Sequence, residues 1–273
     1  MPLDAAFMKK AEHAMNVAGS DPSGYLGRLT PKEQEALDQM RKWATDKFGA
    51  ENGLIDRDLL RYLRAREWKT EVAFKMLTAT MEWRSKRPAT VDLAEVRELY
   101  DKGECLPWGH DKKGRRTYWH MSGKHDPITS DTSAQNVLGI MDRWNKEINE
   151  ENGDIEAFTV VFDLTGYGRA NKDMKFVKGI VDALQNHHPE RMGLCVIVNA
   201  PTIFGLFWAV IKPWLTQRTV EKVIFVGGNT FLEKLEFFFD KDQIPSHLGG
   251  KMTMTPQAYI NERCAPPPPQ PLR

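Results

Sequence analysis

The chain has 273 residues, of which 41% are hydrophobic and 27% are charged, and its formal net charge is +1. This composition is typical of a globular protein with an ample core, and the balanced charge excludes the strong global field that attracts nucleic acid. No apolar run approaches the roughly 20 residues that span a bilayer, so we expect any membrane contact to be peripheral.

Cysteine usage and the N-terminus indicate a reducing compartment. The three cysteines, Cys105, Cys195 and Cys264, are widely separated. A sparse, odd number predicts reduced thiols rather than a disulfide framework. The first residues, MPLDAAFMKKAEH, lack the apolar core of a signal peptide. We therefore expect a cytoplasmic protein that contacts membranes peripherally, is monomeric and has no nucleic-acid partner.

The first hundred residues divide into an extension and a helical unit. Residues 1–28 are weakly patterned, with a possible short helix over 4–15 and then the turn-rich linker AGSDPSGYLG. Residues 29–100 contain three predicted helices, of which the second is DRDLLRYLRAR. This alternation of short helices predicts a small all-helical lobe.

The boundaries of the first and third of these helices have local signals. Thr30 and Glu33 have the spacing of a capping box, and Pro31 suits the first helical position. The third helix begins at Thr70, continues with apolar residues at helical spacing and is predicted to end at Pro88.

The sequence pattern then changes to alternating strands and helices. LPWGHDKKGRRTYWHMSG predicts a β-hairpin whose turn is Asp111–Gly114. The non-alternating apolar runs FTVVFDL (158–164), GLCVIVNA (193–200) and KVIFVGG are typical of strands buried on both faces, and helical segments separate them. Residues 101–262 are therefore predicted to form an α/β lobe with right-handed βαβ units and a mainly parallel sheet.

The C-terminal residues 263–273 include APPPPQPLR, which predicts an extended proline-rich tail. PPQPLR, at 268–273, fits the P-x-x-P-x-R pattern of one SH3-ligand orientation. A solubilising tail without a partner is the alternative, and we favour it from the sequence.

The candidate catalytic motifs are better explained as structural features. GYGRAN (166–171) has Asn171 where a dinucleotide loop needs its third glycine, which favours a simple turn. His187 and His188 are adjacent, which favours capping of helix carbonyls over metal binding. Asp163 ends a strand without a suitably spaced base and is predicted to cap a turn. We expect no enzymatic activity, no metal and no cofactor.

Residues 202–215 form an unusually apolar predicted helix, interrupted by Pro213. It lacks a polar face, which leaves two alternatives: an enclosed core helix, or a mobile wall of a lipid cavity that can enter a bilayer surface. The residues of this helix that we expect to form such a mobile wall, or gate, are Phe204, Phe207, Trp208 and Ile211.

Charged residues precede two of the predicted parallel strands. Glu190 and Lys222 therefore lie on the same edge of the sheet. Alone, such a pair is typical of a surface salt bridge worth ~0–1 kcal/mol. Thr219 and Arg191 add a hydroxyl and a second cation, and the group could then hold a phosphate and sugar hydroxyls.

Several multi-residue motifs occur together and in order. They are LLRYLRAREWKTEVAFKML, DKKGRRTYW, VVFDLTGYG, HHPERMGLCVIVNAPTIFGLFWAVIKPWL, TVEKVIFVG and IPSHLGG. Over roughly residues 20–260 the chain resembles the CRAL-TRIO lipid-binding family, with greatest likeness to yeast-type phosphatidylinositol/phosphatidylcholine transfer proteins. The resemblance implies a helical lobe, a sheet that floors an apolar lipid pocket, and a gate helix at 202–215 that closes it.

The resemblance also implies a headgroup site. In family members that bind phosphatidylinositol, the positions that contact the headgroup correspond here to Arg66, Glu190, Thr219 and Lys222. Glu67, after the RAR motif, replaces a residue that is commonly basic and weakens the local positive field.

The implied phosphatidylcholine site departs further from the family pattern. Tyr118 matches, but Phe158 and Val160 stand where hydroxyl residues are expected. The resemblance therefore implies a carrier that exchanges phosphatidylinositol between membranes or presents it, with an altered second site. The alternatives are a carrier of another hydrophobe, such as a sterol or a tocopherol-like molecule, or a lipid-sensing adaptor that acts through the tail.

Overall fold

The computed structural model describes residues 3–19, 21–87, 91–151 and 155–264. The α-helices are α1 (Ala5–Val17), α2 (Pro31–Phe48), α3 (Asp56–Ala65), α4 (Thr70–Ser85), α5 (Arg97–Asp101), α6 (Ser130–Glu151), α7 (Met174–His187), α8 (Phe204–Ile211), α9 (Gln217–Glu221), α10 (Phe231–Phe238) and α11 (Pro256–Cys264). The strands are β1 (Cys105–His110), β2 (Arg116–Met121), β3 (Phe158–Asp163), β4 (Met192–Val198) and β5 (Val223–Val226). The predicted stop at Pro88 and the SH3-ligand motif at 268–273 lie outside the described residues.

Helices α2, α3 and α4 form the N-terminal helical unit around their own apolar cluster. The predicted capping box is present, because Glu33 N donates to Thr30 Oγ1 at 3.3 Å and Thr30 N donates to Glu33 Oε2 at 2.7 Å. The three helices bury Leu37, Leu60 and Leu77 between them. Burial of these facing apolar stripes stabilises helices that would be marginal in isolation.

Helix α1 is more than a weakly structured extension. It extends to Val17, two residues beyond the predicted span. Ala11, Ala14 and Met15 are buried in the main core beside β4 and β5. The small side chains of Ala11 and Ala14 let α1 approach the sheet closely. This packing depends on distant residues and has no local sequence signal.

The described residues form one five-stranded sheet in the order β1-β2-β3-β4-β5. β1 and β2 are the predicted antiparallel hairpin, and β2 to β5 are parallel. Because successive right-handed crossovers in one direction fall on the same side, α6, α7 and α8 cover one face of the sheet. α1 and α10 contact β5 from the other face.

Strand β4 shows why its sequence is continuously apolar. Cys195 and Ile197 point towards the side of α7 and α8, whereas Leu194 and Val196 point into the main core. Both faces are covered, as expected of a parallel sheet. The predicted α/β fold, with N-terminal helices and a mainly parallel sheet, is confirmed.

No helix within the described ranges is long and apolar enough to cross a bilayer.

Candidate functional site

A cavity of about 430 Å³ lies between the sheet and helices α7 and α8. Its size falls within the range of small-molecule sites. The apolar residues that line it include Phe162, Cys195 and Ile197 on the sheet, Phe176, Val177, Ile180 and Leu184 on α7, and Phe204, Phe207, Trp208 and Ile211 at α8. The middle of the cavity is thus a nearly continuous hydrocarbon and aromatic surface.

Helix α8 has two apolar faces in different surroundings. Phe204 and Phe207 face the cavity and are buried. On the outward side, the exposed fractions of Leu206 and Val210 are 75% and 50%. The helix is therefore not an enclosed core helix. Phe204, Phe207, Trp208 and Ile211 all line the cavity, and the helix ends as Pro213 enters a short 3₁₀ turn.

Polar groups converge on one end of the cavity, where β4 and β5 begin. Glu190, Arg218, Thr219 and Lys222 all line it. Glu190 Oε2 lies 3.6 Å from Arg218 Nε and 4.0 Å from Lys222 Nζ. Glu190 has a left-handed backbone, with φ of 58°, two residues before β4 begins. These distances are longer than good hydrogen bonds, so the carboxylate is shared loosely between two cations.

Lys222 is a buried cation at this end. Its Nζ donates to the backbone oxygen of Met192 at 3.0 Å. Burial lowers the pKa of the ammonium, and the Glu190 carboxylate offsets part of that effect. A buried ammonium beside an apolar cavity gains most from an anionic partner, because little water is present to solvate it.

Arg66 and Glu67 line the same cavity at the end of α3. Arg66 is half-buried, and its Nη1 donates to the Ala65 carbonyl at 2.9 Å. Glu67 is exposed, and its carboxylate lies 3.2 Å from Lys69 Nζ. The negative charge of Glu67 is thus partly compensated by a neighbour that the sequence analysis did not consider.

Arg191 does not join this group and is not among the residues that line the cavity. It is fully buried, and its guanidinium donates to the Glu156 carbonyl at 2.7 Å and to Asn149 Oδ1 at 3.2 Å. Asp58 lies 3.8 Å away. Adjacent residues that enter a strand project to opposite sides, so the headgroup role expected for Arg191 has no geometric support.

The residues expected at the second lipid site also lie outside the cavity lining. Tyr118 and Val160 are register partners on β2 and β3, and both are buried beneath α6. The Tyr118 hydroxyl accepts a hydrogen bond of 3.4 Å from Asn136. Phe158 is fully buried, with its ring 5.8 Å from that of Trp144. These side chains belong to the packed core in this structure.

A second polar cluster lines the other end of the cavity, and the sequence analysis missed it. His120, Ser122, His125 and Asp173 line the wall, and Glu104 lies behind them. The structure thus gives the cavity two polar ends. The only local signal is the HMSGKH segment, because Glu104 and Asp173 come from distant parts of the chain.

The three motifs first considered as catalytic candidates have structural roles. GYGRAN forms a turn, in which the Asn171 amide donates to the carbonyls of Gly123 and His125. Asp163 caps the following turn as predicted, accepting from Thr165 N at 2.9 Å. The His187 side chain does not cap a carbonyl but stacks on Trp83 with ring centroids 4.1 Å apart.

Comparisons with known proteins agree with this architecture. Residues 101–250 match the CRAL/TRIO domain, and residues 34–79 match the CRAL/TRIO N-terminal domain. A similar protein is the CRAL-TRIO domain-containing protein C3H8.02 of Schizosaccharomyces pombe, 30% identical over 206 residues, which are 70% of this chain and 45% of that protein. Another is the phosphatidylinositol transfer protein CSR1 of Eremothecium gossypii, 28% identical over 249 residues, which are 81% of this chain and 55% of that protein.

A solved structure has the same fold. The crystal structure of Sfh5 covers 82% of this chain with a TM-score of 0.52 and 17% sequence identity, and the match includes 82% of that chain. The present chain spans about half of the length of the two curated relatives named above.

Proposed function

The chain belongs to the CRAL-TRIO family, and on that premise we propose that it is a phosphatidylinositol carrier whose cavity binds one phospholipid. The observation that carries the proposal is a single cavity that runs from the polar group at Glu190 and Lys222 to an apolar wall at α8. The end at Glu190 and Lys222 suits a phosphorylated headgroup, and the apolar middle suits hydrocarbon chains.

The polar group at the β4–β5 edge has the chemistry of a phosphoinositol site. Lys222 and Arg66 supply cations for a phosphodiester, and Glu190 and Thr219 supply partners for inositol hydroxyls. Arg218 adds positive charge beside them, although its Nη2 is already paired with Asp21 Oδ2 at 2.6 Å. Glu190 makes only long contacts with Arg218 and Lys222, at 3.6 Å and 4.0 Å. A headgroup can therefore take over part of this pairing without breaking a strong ion pair.

The apolar wall of the cavity has the chemistry that acyl chains require. Each methylene moved out of water contributes roughly 0.8 kcal/mol, so a two-chain lipid leaves a membrane unaided only very slowly. A cavity of equal apolarity removes most of that cost. No covalent chemistry is needed for such transport.

Helix α8 is proposed as the gate. Leu206 and Val210 present apolar surface outward, while Phe204 and Phe207 close the cavity on the inner side. When the outer face enters a membrane surface, its exposed side chains are buried. The free energy gained by this burial can offset the free-energy cost of exposing the inner face when the gate opens. The protein would then associate with membranes peripherally and transiently.

The test is to identify the bound lipid and to measure its transfer. The full chain, expressed in a eukaryotic host and purified without detergent, is extracted and its lipids are identified by mass spectrometry. We expect phosphatidylinositol at close to one molecule per chain, and transfer of phosphatidylinositol between vesicles at a rate well above that of phosphatidylcholine. A phosphoinositide-free extract together with inactive transfer would overturn the proposal.

The second candidate is a carrier of another hydrophobe. The observation that favours it is the absence of Tyr118, Phe158 and Val160 from the cavity lining, which leaves the second lipid site of the resembled proteins without a counterpart in the cavity. A sterol or tocopherol-like compound at one molecule per chain in the same extract would establish this alternative.

A further inference from the structure

The far end of the cavity contains a buried group of metal-ligating side chains. Glu104, His120 and His125 are 1%, 3% and 4% exposed, and one ligand atom of each lies within 4.8 Å of the others. Glu104 Oε1 lies 2.9 Å from His125 Nδ1 and 3.5 Å from His120 Nε2. We propose that these three side chains bind a Zn²⁺ ion at this far end of the cavity.

Two atoms of the group lack the partners that burial demands. His120 Nε2 and Glu104 Oε2 are buried polar atoms without a hydrogen-bond partner within the described residues. A structural network of His125 between Glu104 and Asp173 would satisfy His125 but would leave these two atoms unpaired. Buried polar atoms are rarely left unsatisfied, and a cation shared with the Glu104 carboxylate gives His120 Nε2 a partner.

The surroundings are those that orient metal ligands. His125 contacts Asp173 Oδ2 through Nε2 at 3.1 Å, and His120 contacts Ser122 Oγ through Nδ1 at 3.0 Å. Ser133 Oγ donates to Glu104 Oε1 at 2.7 Å. Metal-binding histidines usually use their second nitrogen in this way, which fixes the ring and the tautomer.

The spacing and the donor set indicate the ion. Tetrahedral ligands of Zn²⁺ lie about 3.3 Å apart, so small side-chain movements bring the three atoms around one ion. When the ion binds, it replaces the hydrogen bond between His125 and Glu104, and the Nδ1 proton leaves to solvent. Two imidazoles and one carboxylate favour Zn²⁺ over Mg²⁺ or Ca²⁺, which prefer oxygen ligands.

The coordination would be incomplete on the cavity side. His120 and His125 line the cavity, and Phe176 packs against both rings at centroid distances of 5.5 Å and 4.7 Å. Three protein ligands leave a fourth position, which is open to water or to an oxygen atom of the bound molecule. The site does not depend on the identity of the headgroup at the opposite end.

The experiment uses the full chain after EDTA treatment and gel filtration, with Co²⁺ as a spectroscopic substitute for Zn²⁺. We expect one equivalent of Co²⁺ to bind with the intense visible absorption of a tetrahedral site, and Zn²⁺ to displace it. His120→Gln should weaken binding at least about 100-fold, and Asp173→Asn about 10- to 100-fold. His247→Gln is the matched control, because His247 also contacts a carboxylate, Asp163, at 2.8 Å but lies outside the group.

The outcomes decide the proposal even if a variant fails to fold. Wild-type protein that binds no Co²⁺, or a folded His120→Gln variant that binds it as tightly as wild type, overturns the site. Crystals of the wild-type protein soaked in Zn²⁺ and measured at the zinc absorption edge give an independent answer. An anomalous peak between Glu104, His120 and His125 supports the site, whereas a peak elsewhere or none overturns it.

Discussion

Replacing Lys222 with methionine tests whether this side chain contributes to headgroup binding without contributing to the stability of the fold. The side chain of Lys222 is 5% exposed, and its ammonium contacts the Met192 carbonyl and the Glu190 carboxylate. Methionine keeps the apolar stem and removes the charge. Glu190 does not become an isolated charge, because Arg218 lies 3.6 Å from it.

The expected magnitudes follow from these contacts. A hydrogen bond to a charged group contributes about 1.5–3 kcal/mol. At about 1.4 kcal/mol per tenfold change, the loss of one such bond lowers phosphatidylinositol affinity about 10- to 100-fold. Burial already lowers the pKa of Lys222, so its charge destabilises the unliganded fold. Removal of the charge offsets the lost contacts, and we expect the free energy of unfolding to change by less than about 1 kcal/mol.

The assay measures transfer of labelled phosphatidylinositol between vesicles and unfolding in urea on the same samples. Lys75→Met is the control, because Lys75 is an exposed lysine on α4, outside the cavity lining. Transfer by Lys222→Met at the wild-type rate would refute the headgroup role. A large loss of stability would contradict the expected small change in the free energy of unfolding and would make Lys222 a structural residue.

The elements of the fold were largely predictable because their signals are local. The capping box of α2, the hairpin turn and the apolar runs of β3 and β4 each depend on a few neighbouring residues. The order strand–helix–strand then restricts the topology to right-handed crossovers. The same rule explains why the sequence placed Glu190 and Lys222 at one edge, where the structure has them 4.0 Å apart.

The direction of individual side chains was harder to predict. Arg191 is adjacent to Glu190 in sequence, but the left-handed backbone of Glu190, with φ of 58°, and the start of β4 send the two side chains apart. Arg218 was not predicted, although its side chain does reach the polar group at Glu190. It is one residue before Thr219, and the turn of α9 brings it to Glu190.

The second polar end of the cavity could not be inferred from local patterns. Glu104 comes before β1, His120 lies on β2, and Asp173 is the N-cap of α7. Their proximity depends on the pairing of β1 with β2 and on the crossover through α6. The positions assigned to a second lipid, Tyr118, Phe158 and Val160, failed to reach the cavity lining because α6 covers that part of the sheet.

Three further predictions concern the structural network and the gate. Burial opposes ionisation of Asp58, but the charge of Arg61 and several hydrogen bonds outweigh it and lower its pKa. Its stabilising contribution is therefore present above the unfolded pKa of about 3.9 and is lost as the pH falls through the folded value. The stability advantage of wild type over Asp58→Asn in urea should shrink below about pH 4, and a constant difference would contradict this assignment. Arg191→Met should cost about 3–5 kcal/mol of stability, because it leaves buried acceptors unpaired. A fully stable Arg191→Met variant without lipid transfer would instead return this residue to the headgroup site. At the gate, Leu206→Glu combined with Val210→Glu changes two exposed positions, so the free energy of unfolding should shift by no more than about 1 kcal/mol. Each apolar side chain that enters a membrane contributes about 1.5–3 kcal/mol, so vesicle association and transfer should fall at least tenfold. Because the substitutions leave the inner face of α8 unchanged, the amount of co-purified lipid should not change. Transfer at the wild-type rate would show that the outer face of this helix does not contact the membrane.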